Sequence, residues 1–230
     1  MTVPETKNAD FFIVDFDRTL VDSDKLLEVF TEIANTYFDI PREQIEKANE
    51  DVKKRGDSFD TAGYVRDHLN DEGRGQEWES LEKKFIHESR ALNYLLPGAS
   101  ELLEWLAAHG KRYGILTYGD PLWQHLKLTA AGFNHLRHIV MEKKEKGRLI
   151  SSWQRRDGSF RIPRELGGGD AGRIILIDDK AVSFADFPGE PSLGYWVLHP
   201  AHELPSQRGS VQKNVERHED LYAVLDTLNS

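Results

Sequence analysis

Four short apolar runs, three of them capped by polar residues, constrain this fold more than any other feature of the sequence. Phe11-Phe12-Ile13-Val14 is followed at once by Asp15-Phe16-Asp17-Arg18-Thr19. Tyr113-Gly114-Ile115-Leu116 gives way to Thr117-Tyr118-Gly119-Asp120, and Ile174-Ile175-Leu176-Ile177 to Asp178-Asp179. Tyr195-Trp196-Val197-Leu198 is the fourth run. Short runs of this kind, apolar without alternation, predict strands covered on both faces, as in a parallel sheet. The polar residues then lie at the carboxyl ends of their strands, the edge at which open α/β sheets place ligands.

Helical periodicity fills the gaps. Ser100 predicts the start of a helix that buries Leu102, Leu103 and Leu106 and stops at Gly110. Pro121 opens another, with Leu122, Leu126 and Ala130 on one face, and residues 215–228 predict a last helix presenting Leu221, Val224, Leu225 and Leu228. Between the first strand and Ser100 the texture is helical throughout, with Leu26, Leu27, Phe30, Ile33, Ala34 and Tyr37 along one stretch and Ile45, Ala48 and Val52 along the next. A block of this length is too long for a simple crossover. It predicts a small separate bundle, residues 23–96, inserted into an α/β core of residues 1–22 and 97–230; the alternative is a set of helices laid flat on the sheet. Residues 143–162 are charged and predict a loop or short hairpin, and Gly167-Gly168-Gly169 predicts a turn.

Composition removes several classes of function. There is no cysteine, so a disulfide framework, a thiolate nucleophile and a Cys-ligated metal centre are excluded. The nine histidines form no HxH or HExxH pattern, which disfavours a zinc hydrolase. Thirty basic against thirty-nine acidic residues, a formal charge of -9, argue against nucleic acid as a partner. Without a long apolar window or a basic-then-apolar start, neither a membrane span nor a secretory leader is expected, and the expected location is cytoplasmic.

The acidic strand ends carry the chemistry. Asp15 and Asp17 stand at i and i+2, so they point the same way if the strand geometry persists, and Asp178-Asp179 end another strand. If those strands are neighbours, three or four carboxyl groups converge, and anions so crowded need a cation or a proton. Oxygen ligands of this kind suit a hard ion such as Mg2+.

Asp15-Phe16-Asp17-Arg18-Thr19-Leu20 resembles the DxDxT signature of the haloacid dehalogenase superfamily, most of whose members are Mg2+-dependent phosphohydrolases. Thr117 resembles its second motif and Asp178-Asp179 its acidic fourth motif. The resemblance implies a Rossmann-like parallel sheet flanked by helices, with the helical insert as a C1-type cap. It implies Asp15 as nucleophile and Asp17 as acid and base, with Asp15, Asp17, Asp178 and Asp179 holding Mg2+, Asp17 through its main-chain carbonyl. Thr19 would steady the loop and Thr117 would meet a phosphoryl oxygen. On this reading Asp15 is ionised and Asp17 keeps a proton for the leaving oxygen.

The third motif, a Lys or Arg, has several claimants. The usual spacing lands near Arg155 and Arg156, whereas Lys143, Lys144 and Lys146 follow the run Ile139-Val140-Met141, where a strand can end. Lys144 is preferred, with Lys146 and Lys143 behind it. Arg18, Thr19, Tyr118, Gly119, Arg55 and Lys146 are the expected substrate contacts, and Arg66 and His68 are further cap residues of interest. The implied activity is hydrolysis of a small phosphorylated metabolite by a monomer or homodimer. The alternatives are a phosphomutase on the same scaffold and a non-enzymatic protein that binds a phospholigand or partner.

Overall fold

A computed structural model describes residues 9–54, 58–199 and 212–230. Six parallel strands form the main sheet: β1 (Asp10–Val14), β2 (Arg112–Tyr118), β3 (His138–Met141), β6 (Arg173–Asp178), β7 (Leu193–Val197) and β8 (Val215–His218). Their order is β3-β2-β1-β6-β7-β8, and a short antiparallel pair, β4 (Phe160–Arg161) with β5 (Asp170–Ala171), stands apart. All four strands predicted from apolar runs are present, and β1, one of the two central strands, lies between β2 and β6. The order reverses there, so three carboxyl-terminal ends open onto one crevice.

Apolar residues cover both faces of the sheet. On one side Phe12, Val14, Ile175 and Ile177 join Leu102 and Leu106 of α5 (Ala99–Ala108), Leu126 of α6 (Pro121–Ala130) and Val224 of α8 (Leu221–Asn229). On the other, Phe11, Ile13, Leu116, Ile174 and Leu176 pack with Ile150, Phe160, Phe184 and Trp196. Alternate residues of β1 thus feed opposite cores, as the strand pleat requires.

Four helices fall within residues 23–96, after β1 and before α5: α1 (Ser23–Phe38), α2 (Arg42–Lys54), α3 (Thr61–Asp71) and α4 (Trp78–Arg90). Asp22 caps α1 and Asp60 caps α3, each accepting from a backbone N–H of the first turn. The helices share the first core, where Phe30 of α1 meets Phe85 of α4 edge-on and leans on Trp123 of α6. The two chain crossings lie side by side: Asp22 N–H donates to Tyr94 O at 2.8 Å and Leu96 N–H to Leu20 O at 3.0 Å. No described helix is long and apolar enough to cross a membrane.

Two local expectations need correction. Residues 215–228 are not one helix: Val215–His218 forms edge strand β8, and α8 begins only at Leu221, capped by Asp220. Residues 143–162 include the expected short hairpin, with Gln154 bridged to Phe160 across the Asp157-Gly158 turn, but α7 (Lys146–Ser151) precedes it unexpectedly. Only Ile150 of its six residues is both apolar and buried, too little for periodicity to register. The Gly167-Gly168-Gly169 turn is present, all three residues having positive φ.

Candidate active site

At the end of β1 the Asp15 N–H continues the ladder, donating to Ile177 O at 2.9 Å, and the residue is buried. Beyond it the chain folds into a tight loop in which Leu20 and Val21 both donate to Phe16 O at 3.1 Å. Arg18 takes a left-handed conformation, φ 61, to make that turn. For a residue with a Cβ this costs about 1 kcal/mol. Its guanidinium grips Asp24 at the start of α1 with two bonds of 3.0 and 2.8 Å. Thr19 Oγ1 donates to Asp15 Oδ2 at 3.3 Å, so this threonine orients the first carboxylate.

Register pairing of β1 with β6 brings Asp178 beside Asp15. Asp15, Asp178 and Asp179 each place a carboxylate oxygen within 4.8 Å of the others, and all three are buried. The carboxylate of Asp17 is not part of this group, which leaves its main-chain carbonyl as the contact that the resemblance implies.

The cation beside Asp15 is Lys146, not Lys144. Lys146 Nζ donates to Asp15 Oδ1 and, at 2.5 Å, to Asp178 Oδ2, with 5% of the side chain exposed. It stands at the first turn of α7, and Gly147 sets how close that turn comes. A Cβ on Gly147 would lie 2.1 Å from Ala185 O, so only glycine lets the helix settle there. Lys144 instead lies over the Tyr118 ring, 5.3 Å from its centre, at the rim of the cleft. Arg155 is turned away to Asp170 at 2.7 Å.

Three further polar residues complete the site, none of them singled out by the sequence. Lys127 Nζ donates to Asp17 Oδ1, and Gln124 Nε2 donates to Asp17 Oδ2 at 2.7 Å. Both come from α6, whose buried face is wider than predicted and includes Trp123, Gln124 and Lys127. The available signal is Lys127 lying between Leu126 and Leu128; a lone lysine on a helix ordinarily reads as solvated. Lys180 follows the acidic pair, its N–H donating to Asp178 Oδ1 at 2.8 Å. Thr117 is fully buried and donates to Gln124 Oε1 at 3.5 Å.

These contacts order the protonation states. Burial raises the Asp15 carboxyl above its usual range; Lys146 opposes this and the neighbouring Asp178 adds to it. Burial also pulls the Lys146 ammonium down, but Asp15 and Asp178 outweigh it and hold the proton firmly. Lys180 is likewise lifted against its burial by Asp179, Asp15 and Asp178. Asp17 behaves opposite to expectation: burial pushes it up, yet Lys127 and Gln124 bring it below the usual carboxylate range. It rests ionised because both of its oxygens accept from α6.

A cavity of about 400 Å³ opens beside Asp17, between the loop after β1 and the helices of residues 23–96. Arg18, Tyr118, Lys144 and Lys180 line the core side, while Leu27 and Asn49 come from the inserted helices and Phe59 from the segment just before α3. Gly119, expected to touch substrate, instead makes room for Gln124. Arg55 lies outside the described residues. Arg66 pairs with Asp67 and His68 with Glu72 on the α3 surface.

A parallel α/β sheet with buried carboxylates and lysines at its carboxyl edge defines an open α/β protein whose candidate site lies in the crevice at the strand ends. The chain belongs to the haloacid dehalogenase-like hydrolase family, whose model matches residues 12–148. Among solved structures it resembles a haloacid dehalogenase-like hydrolase from Burkholderia xenovorans, with TM-score 0.65 and 17% identity over 95% of this chain and 96% of that one. It also resembles a HAD phosphatase from Thermococcus onnurineus (TM-score 0.58, 18% identity, 96% and 97% covered). A third is the HAD-hydrolase YfnB from Bacillus subtilis bound to magnesium (TM-score 0.54, 14% identity, 97% and 100% covered). At these identities the likeness is one of fold. No curated protein sequence matches the chain.

Proposed function

We propose that this protein is a Mg2+-dependent phosphomonoester hydrolase that works through a phosphorylated Asp15 and acts on a small phosphorylated metabolite. The observation that carries the reading is the placement of Lys146 between Asp15 and Asp178, with Asp179 completing an all-oxygen group. A nucleophilic carboxylate needs a fixed counter-charge that an incoming phosphate dianion can share, and this arrangement supplies it.

The residues fit a divalent ion. Four carboxylates (Asp15, Asp17, Asp178, Asp179) face three ammonium groups (Lys127, Lys146, Lys180), so the cluster is short of positive charge before any phosphate arrives. The donors are hard oxygens. Asp15, Asp178 and Asp179, with the main-chain carbonyl of Asp17, would hold Mg2+, which when bound neutralises phosphoryl oxygens and draws the phosphorus toward Asp15.

In the first half of the reaction Asp15 forms a bond to phosphorus as the ester oxygen leaves, and Asp17 gives that oxygen a proton. Asp17 rests ionised, so it must first take a proton from solvent; a phosphoryl dianion beside it raises its pKa and favours that. In the second half Asp17, now a carboxylate, takes a proton from water as the water oxygen bonds to phosphorus and the Asp15–phosphorus bond breaks, releasing inorganic phosphate and the free Asp15 carboxylate. Residues 23–96 serve as the cap over a core of residues 1–22 and 97–230. The cavity has room for a phosphate and a modest leaving group.

Phosphate release from a panel of small phosphomonoesters, with Mg2+ and with chelator, tests the activity. For an ester that is turned over, rapid acid quench and peptide mass spectrometry should find an added phosphoryl group on the peptide containing Asp15, absent in Asp15→Asn. An adduct on another residue, or full turnover by Asp15→Asn, refutes the mechanism.

A further inference from the structure

One helix takes both carboxylate oxygens of Asp17. Lys127 and Gln124 stand three residues apart on α6, so a single turn presents them side by side. Gln124 is fixed in its turn: its Nε2 also donates to Tyr118 O at 2.7 Å, and its Oε1 accepts from Thr117. Gly119 permits this, because a Cβ there would lie 2.4 Å from Gln124 Nε2. Lys127 is 4% exposed, with its ammonium 5.6 Å from the Trp123 ring centre and 5.9 Å from that of Phe16.

Burying a lysine and an aspartate together is a poor way to gain stability, since two apolar residues of similar volume do as well or better. Here the pair lies on the wall of the cleft, where Asp17, Gln124 and Lys127 all face the cavity. A carboxylate bonded at both oxygens has little freedom to rotate, and proton transfer rewards such fixed orientation. We propose that Lys127 and Gln124 are positioning residues, a clamp on α6 that aims the Asp17 carboxylate at the leaving-group oxygen and then at the attacking water. The clamp rests on the reading of Asp17 as the proton carrier of a phosphomonoester hydrolase. The clamp itself moves no proton, so the proton count of both half-reactions is unchanged.

The test compares kcat and KM for p-nitrophenyl phosphate, whose leaving group needs no proton, with those for a simple alkyl phosphate. Lys127→Met should lower kcat on the alkyl ester about 10²-fold, with a smaller loss on the nitrophenyl ester and KM nearly unchanged. Lys127→Arg should recover part of the loss. In an Asp17→Asn background Lys127→Met should cost nothing more. A full additive loss in that background, or a raised KM at unchanged kcat, would mean that Lys127 acts on substrate directly and would overturn the clamp. If Lys127→Met does not fold, Gln124→Leu carries the same comparison without removing a charge. Crystal structures of these variants give an answer independent of activity: a turned Asp17 carboxylate supports the clamp, an unmoved one overturns it. Should the wild-type protein hydrolyse no ester, the hydrolase reading fails, and those structures still decide the clamp.

Discussion

Replacing Lys146 by methionine keeps the length of the side chain and removes its charge. In the native site that ammonium serves two buried carboxylates at once, Asp15 and Asp178, with 3% and 0% of their side chains exposed. Breaking a buried pair by removing one partner costs about 3–5 kcal/mol, because the remaining charge is stranded. In a chain of this size 1 kcal/mol moves Tm by about 2–4 °C, so a fall of roughly 6–20 °C is expected without metal. Lysine is raised in the folded state, so its contribution is complete below the ordinary lysine pKa of 10.5 and is lost only as the pH rises through the folded value. The native ammonium is thus charged at both pH 6 and pH 8. Asp15, raised further once Lys146 is gone, takes up a proton more readily in acid, so the loss should be smaller at pH 6 than at pH 8. Calorimetry in chelator and in excess Mg2+ is the assay. Metal should restore part of the loss in Lys146→Met, since it takes up the stranded carboxylates. Turnover should fall by about 10²–10³-fold, the scale for one preorganised electrostatic group. Lys144→Ala, at the rim, should leave Tm unchanged. Unchanged stability in Lys146→Met, or the large loss appearing in Lys144→Ala, would refute the assignment of the buried cation.

Two further outcomes are expected from the packing. Gly147→Ala should destabilise the protein by about 1–3 kcal/mol and slow turnover on the order of 10²-fold, because the methyl group meets the backbone of Ala185 and moves Lys146; thermal melts and kcat check both. Asp60→Asn should keep the α3 cap but melt a few degrees higher at pH 7. Burial and the facing Asp120 raise the Asp60 pKa against the Gly63 N–H, so the native carboxyl is ionised at a cost once the pH passes its folded value; the gain should disappear toward pH 3. A melting difference that grows in acid would contradict that sign.

The acidic strand ends are legible because they rest on strands whose apolar runs leave one structural reading. Phe11-Phe12-Ile13-Val14 and Ile174-Ile175-Leu176-Ile177 can be satisfied only by burial on both faces, and the residues after them must then sit at the sheet edge. The spacing within Asp15-Phe16-Asp17 and the adjacency of Asp178 and Asp179 are local properties, so folding leaves them unchanged. The choice among lysines is different in kind. Lys143, Lys144 and Lys146 have the same chemistry within four positions, and only the seating of Gly147 against Ala185 decides that the third of them reaches Asp15. Lys127 and Gln124 are 110 and 107 residues from Asp17, and no periodicity links them to it. Their partnership exists because the Pro121–Ala130 helix lies beside the loop that follows β1. The protonation of Asp17 departs from the sequence-based expectation for the same reason: a carboxylate's charge depends on which groups surround it in space, and those are fixed by packing between elements distant along the chain.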